Sequence, residues 1–288
     1  IGKRVDALNN SAWEASQWLS AANAPVLKVR KNRAADGASW FVSTVKHDQK
    51  VTSAKWMTAG LGVFQLSLNG KIVGAEVLKP GFTDTFKTKL SFTYDITDAF
   101  QCKAGAENVL AAQVTPGWWG DKIVTPGGNK GTYGTKCAFR GVLELTYADG
   151  TTKLYGTDLE NWKAGIAGPV KHAAIFDGEE YDAREKMGYD CVETLSTPEQ
   201  NKEFRGKIFP TNGAEVYMRH DLTLSPVKAY IWNGVEGEKE NEFGKVIITK
   251  EFNPGEPMTL KEGETLVVDF GQNCAAVPSF QFKANEGT

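Results

Sequence analysis

Cysteine and histidine are scarce in this chain. Four cysteines (Cys102, Cys137, Cys191, Cys274) and three histidines (His47, His172, His220) are spread over 288 residues. None forms the close pair that a structural zinc site or a redox dithiol requires. The cysteines read as small buried thiols rather than disulfides, because a chain this long needs no covalent staples. The histidines read as surface or hydrogen-bonded residues, and no metal site is expected. A surplus of one charge is also missing: 33 basic residues face 35 acidic ones, for a net charge of -2. That balance gives no broad pull toward a phosphate backbone, so nucleic acid is not an expected partner. No apolar run approaches the roughly 20 residues of a membrane helix, and no membrane span is expected. A Gly-x-Ser-x-Gly elbow, a phosphate-cradling loop and a dinucleotide fingerprint are all absent, which removes nucleophilic-hydrolase and nucleotide chemistry. The chain opens on Ile1 with neither an initiator methionine nor a signal peptide, and both ends read as trimmed.

What is present is period-two alternation. Phe64, Leu66 and Leu68 point one way, Asn69-Gly70 supplies a type I′ turn, and Ile72 begins the return strand. Leu143, Leu145 and Tyr147 alternate toward Ala148-Asp149-Gly150, and Lys153-Leu154-Tyr155 come back. A third turn is expected at Lys261-Glu262-Gly263, before Leu266-Val267-Val268. Asn108 to Val114 reads as a strand despite its alanines, whereas Ser11 to Ala24 reads equally as a short helix or an irregular lead-in. Short strands separated by Gly, Pro and Asp turns predict an all-β protein of antiparallel sandwiches. The length exceeds one usual core, so two domains are expected. The polar stretch Glu193 to Glu203, carrying Pro198, is the expected linker. This places a first domain at 1–195, with 1–50 an unassigned lead-in, and a second at 196–288.

Two stretches carry possible chemistry. Asp177-Gly178-Glu179-Glu180-Tyr181-Asp182-Ala183-Arg184 packs four carboxylates and one guanidinium into a segment too irregular for a helix face. Glycoside hydrolysis needs two carboxyl groups flanking the scissile bond, about 6.5 to 9.5 Å apart in inverting enzymes, and Glu179 with Asp182 fits that separation. The competing and favoured reading is scaffolding. There Arg184 pairs with Asp177 or Asp182 and locks a crossover, while Glu179 or Glu180 caps backbone N–H groups. Gly117-Trp118-Trp119-Gly120 is the most sugar-like feature, because indole faces stack on the apolar face of a pyranose. Asp121, Lys122 and the run Pro126-Gly127-Gly128-Asn129-Lys130-Gly131 then form one wall of a cleft. Core-filling tryptophans and a functionless glycine loop explain the same residues.

A series of pieces in fixed order extends over about Lys55 to Tyr189: Leu68-Asn69-Gly70-Lys71-Ile72-Val73-Gly74, Pro80-Gly81-Phe82-Thr83-Asp84, Tyr94-Asp95-Ile96-Thr97, Gly117-Trp118-Trp119, Tyr147-Ala148-Asp149-Gly150, Trp162 and Gly168-Pro169, leading into the acidic segment. Together with Asp269-Phe270-Gly271-Gln272-Asn273 near the end, the series resembles the amino-terminal modules of the bacterial α-L-rhamnosidases, glycoside hydrolases that release terminal rhamnose. The resemblance implies a jelly-roll, galactose-binding-like first sandwich and a second one cut short, with Gln272 and Asn273 starting the next characteristic strand. It also implies that the general acid and base lie in a helical barrel of the same polypeptide, beyond Thr288, so no catalytic residue is expected here. Rhamnose-containing glycans and an extracytoplasmic location follow by the same analogy. Phe82 and Thr85 depart from the family pattern. Some relatives bind rhamnose through calcium, but the loop after the Asn-Gly hairpin reads Ala75-Glu76-Val77 with one carboxylate, so no cofactor is expected and calcium is doubtful. Three roles stay open: an architectural part of a glycosidase, an autonomous carbohydrate-binding module, and a purely structural sandwich.

Overall fold

Alternating side chains make a sheet with one apolar face, and two such faces close most of this chain into a sandwich. The computed structural model describes residues 1–27, 37–122, 131–211, 213, 215–237, 239 and 244–284. It divides into two compact units, Ile1–Met218 and Arg219–Thr288.

In the first unit, an eight-stranded sheet runs in the order Lys3–Arg4, Thr88–Asp95, Val51–Leu61, Ala138–Tyr147, Leu19–Ser20 and Glu199–Gln200. Thr152–Gly156 pairs with Ala138–Tyr147, and Lys207–Pro210 pairs with Thr88–Asp95. A five-stranded sheet, Trp162–Ile166, Ser39–Lys46, Glu107–Thr115, Val63–Leu68 and Lys71–Val73, faces it. Rings from opposite sheets meet between them: Phe41 and Phe139 lie 5.9 Å apart by ring centroids, as do Phe64 and Phe92. Trp56, Phe41, Phe139 and Leu66 are all at most 1% exposed. Removing one such ring costs about 3–5 kcal/mol.

The local chemistry of the turns follows the sequence. Asn69 and Gly70 both adopt positive φ, 50° and 77°, as a type I′ turn demands, which permits a two-residue link with Leu68 opposite Lys71. Asn69 then ties the hairpin to the neighbouring strand by accepting from Val109 N at 2.8 Å. Glu107–Thr115 is a strand, and Thr265–Asp269 follows the turn at 261–263.

Several expectations are revised. Among the described residues, the strand pairs are antiparallel except Lys207–Pro210 against Thr88–Ser91, which is parallel. The segment 1–50 contributes strands to both sheets, including Ser39–Lys46, an interior strand of the five-stranded sheet, while Asn10–Ala15 is a 3-10 helix capped by Asn9. Within the expected linker, Glu199–Gln200 pairs with Leu19–Ser20, and the division into units falls after Met218 instead. In the second unit Lys228–Glu236 lies between Lys245–Phe252 and Thr265–Asp269 in one antiparallel sheet. Gln272 and Asn273 do not start a strand. Asp269 Oδ1 accepts from Gly271 N at 2.7 Å and Gly271 takes φ 70°, so a local turn ends the strand there.

Candidate functional site

The acidic segment is a hairpin. Val170–Ala174 pairs with Gly178–Tyr181, and Gly178 at φ 82° makes the turn after Asp177. Glu179 and Glu180 lie opposite Ala173 and His172 with exposed side chains, and neither caps a backbone N–H among the described residues. Asp182 follows the strand, and its own N–H donates to Pro169 O at 2.8 Å. Arg184 closes on it as a fork, Nε to Oδ1 and Nη2 to Oδ2, both 2.8 Å, and the Arg184 backbone N–H adds a third bond at 3.1 Å. These bonds, the guanidinium's first and the amide's second, hold the Asp182 carboxyl well below the usual carboxylate range. Of the two scaffolding pairings read from sequence, the one with Asp182 forms. Asp177 instead meets Lys122 Nζ, 55 residues away.

That ion pair joins the two candidate stretches. Asp121, 1% exposed, accepts from Ile175 N at 2.8 Å through Oδ2, so Asp121-Lys122 is pinned along the hairpin turn 175–177. Trp118 and Trp119 sit in the four-residue helix Gly117–Gly120 that precedes them. Trp119 is 2% exposed and its Nε1 donates to Lys136 O at 2.8 Å. Gly134 lies against its ring so closely that a Cβ there would overlap Trp119 Cζ2. Trp119 and Asp121 are thus built into the sandwich, whereas Trp118 is half-buried. The glycine-rich run 126–130 lies outside the described residues; Gly131 N donates to Gly120 O at 2.8 Å.

Two buried lysines are unremarkable in the sequence, and one of them, Lys89, packs on Trp119. Lys89 is 2% exposed, donates to Thr85 Oγ1 at 3.2 Å and lies 5.3 Å over the Trp119 ring. Burial lowers its pKa to about 8. Lys79, 3% exposed, is also lowered to about 8, by burial first, with Glu76 opposing. Glu76, the one carboxylate of the loop weighed for calcium, is committed elsewhere: it accepts from Tyr94 Oη at 2.8 Å and faces Lys79 Nζ at 3.8 Å and Arg4 Nη1 at 3.7 Å. Burial and that hydrogen bond push the Tyr94 hydroxyl up. Among the described residues, no cluster of three or more His, Cys, Asp or Glu side chains is placed to hold a metal ion, no disulfide joins the cysteines, and no helix is long and apolar enough to cross a membrane.

Comparison with known proteins adds the following. The family model described as the alpha-L-rhamnosidase N-terminal domain matches residues 49–204. An α-L-rhamnosidase of Alteromonas sp. (strain LOR) is 26% identical over 286 residues, 97% of this chain and 27% of that protein. One from Streptomyces avermitilis is 38% identical over 138 residues, 48% of this chain and 13% of that protein. A crystal structure of the S. avermitilis enzyme complexed with L-rhamnose superposes on 67% of this chain and 19% of its own, with a TM-score of 0.60 and 28% identity. The native enzyme from Aspergillus terreus covers 91% of this chain and 37% of its own at a TM-score of 0.66. Its 20% identity shows the shared fold alone. This chain spans 13–27% of the length of the curated relatives it matches.

Proposed function

The chain belongs to the family of α-L-rhamnosidase N-terminal domains, and from that premise we propose that it is a non-catalytic, architectural part of a rhamnose-releasing glycoside hydrolase. The observation that carries this reading is the Arg184 fork on Asp182. A general acid must hold a proton near neutral pH, and a carboxyl group held below its usual range does the opposite. Asp177, which is bound to Lys122, is likewise occupied in joining two segments of the sandwich. The acidic hairpin therefore acts as a rigid rim element, and the two carboxyl groups that cleave the sugar belong to a catalytic barrel of the same polypeptide. Such a module shapes the edge of the cleft and keeps rhamnosylated glycan near it, raising its local concentration. A jelly-roll relationship to sugar-binding sandwiches and an extracytoplasmic setting belong to this reading.

The test is turnover of an aryl α-L-rhamnoside by this chain alone. No hydrolysis above buffer is expected. Release of the aryl group that disappears in the Glu179→Gln or Asp182→Asn variant would overturn the reading.

A further inference from the structure

In an Asn-Gly pair the glycine nitrogen can reach the side-chain carbonyl carbon of the asparagine before it, because no Cβ stands in the way. The chain holds three such pairs: Asn69-Gly70, Asn212-Gly213 and Asn233-Gly234. Asn212 lies outside the described residues, and the fold treats the other two in opposite ways. Asn69 is held at both ends of its amide, Oδ1 accepting from Val109 N at 2.8 Å and Nδ2 donating to Asn108 Oδ1 at 3.0 Å. Gly70 is covered as well, since a Cβ there would meet Tyr189 Cε2 at 3.6 Å. Asn233-Gly234 lies inside Lys228–Glu236, the middle strand of the second unit's sheet. On one side Trp232 pairs with Ile248 and Val235 with Val246, which leaves Ile247 alone opposite the two residues. On the other side the pairing with Thr265–Asp269 ends at Trp232. The dipeptide therefore belongs to neither ladder. The Asn233 side chain is exposed and has no hydrogen-bond partner among the described residues. Gly234 takes φ 89°, and a Cβ added to it would meet nothing within 4 Å.

From this geometry we propose that Asn233 is a modification site, deamidated without an enzyme and with water as the co-reactant, whereas the fold protects Asn69. Solvent base takes the Gly234 amide proton, and the nitrogen attacks Asn233 Cγ. The bond from Cγ to the side-chain nitrogen then breaks, ammonia leaves with a proton returned from solvent, and a cyclic imide remains. Water adds to one of the two imide carbonyls and opens the ring. Opening at Cγ gives aspartate; opening at the backbone carbonyl gives isoaspartate, in which the main chain runs through Cβ and Cγ. Both products carry a new carboxylate, and the second also lengthens the strand by a methylene between two paired residues, Trp232 and Val235. Ring closure at Asn233 breaks no side-chain hydrogen bond among the described residues, whereas at Asn69 it breaks two. At the usual worth of such bonds, Asn69 should react roughly 5- to 150-fold more slowly.

The test is peptide mapping by liquid chromatography and mass spectrometry during incubation at mildly alkaline pH, of the folded protein and of the chain unfolded in urea. Asn212-Gly213 is followed in a separate peptide. In the folded protein the Asn233 peptide should convert to an aspartate and isoaspartate pair, each heavier by the exchange of NH2 for OH, while the Asn69 peptide lags by the factor above. In urea the two should react at similar rates, because the bonds that hold Asn69 are gone. Asn233→Gln, whose closure needs a larger ring, should leave that position unmodified over the same period. Equal rates at Asn69 and Asn233 in the folded protein would overturn the proposal, as would a folded Asn233 that stays intact while the unfolded chain reacts.

Discussion

Replacing Lys89 with methionine removes a buried ammonium that has three donors and, among the described residues, one hydrogen-bond acceptor, Thr85 Oγ1 at 3.2 Å. Desolvation by burial lowers its pKa, and no carboxylate among the described residues offsets it. The fall from 10.5 to about 8 corresponds to roughly 3 kcal/mol of preference against the charged form, at about 1.4 kcal/mol per unit. Because the folded pKa lies below the unfolded one, the unfolded state binds more protons between about pH 8 and 10.5, and stability rises with pH across that window. Below pH 8 the full penalty is present. Methionine keeps the volume, loses the Thr85 bond and the cation–π contact with Trp119, and frees the site of charge. A net gain of about 1–3 kcal/mol is therefore expected at pH 7. It should shrink by about 2 kcal/mol at pH 9.5, where wild-type Lys89 unfolds from a mostly neutral form. Urea denaturation of both proteins at the two pH values reads this difference, and the comparison cancels the parallel contribution of Lys79. A variant less stable than wild type at pH 7, or a gain independent of pH, would refute the argument that Lys89 is an uncompensated buried charge.

Other substitutions probe the joints of the structure. Gly134→Ala drives a methyl group into the Trp119 ring and should destabilise by about 1–3 kcal/mol or more, with loss of near-UV circular dichroism from the indole; a neutral result would mean the ring is not held as described. Asp121→Ala leaves the Ile175 N–H without its acceptor and should cost about 1–3 kcal/mol. Hydrogen exchange at Ile175 should accelerate, and unchanged protection there would contradict the zipper between 121–122 and 175–177. Lys79 and Glu76 are coupled inside one network, so Lys79→Met alone should destabilise where Lys89→Met stabilises, because it takes from the buried Glu76 carboxylate one of its two cations and leaves it Arg4 at 3.7 Å. Thermal unfolding of the two variants at pH 7 separates the signs.

Much of this was legible in the chain itself, for physical reasons that vary from segment to segment. Asn69-Gly70 announces its hairpin because only such a pair takes two positive φ angles cheaply. Phe64, Leu66 and Leu68 announce their face because a strand alternates. Arg184 and Asp182 are two residues apart, so their pairing needed no knowledge of the fold. Ser39–Lys46 gave no such sign: Trp40, Phe41 and Val42 are all buried, one face against the core and the other under the 187–195 segment, so alternation vanishes. Leu19–Ser20 and Glu199–Gln200 are two residues each, too short to show a period. Lys207–Pro210 pairs with a strand more than a hundred residues earlier, which is why the boundary between units fell later than composition suggested. The Lys122–Asp177 bond, the solitary Lys89 and the gap in the ladders at Asn233-Gly234 depend on register across strands, which no local pattern encodes.

The carboxyl of Asp182 offers the most direct check on the central claim that the acidic hairpin is scaffold. Carbon-13 NMR of the side-chain carboxyl groups, titrated from pH 8 downward, should find Asp182 still ionised well below the usual carboxylate midpoint in wild type. It should return toward that midpoint in Arg184→Ala, since the fork is the first cause of the shift. An Asp182 carboxyl that takes up its proton near pH 6, with or without Arg184, would mark a group poised to donate to a glycosidic oxygen and would contradict the account.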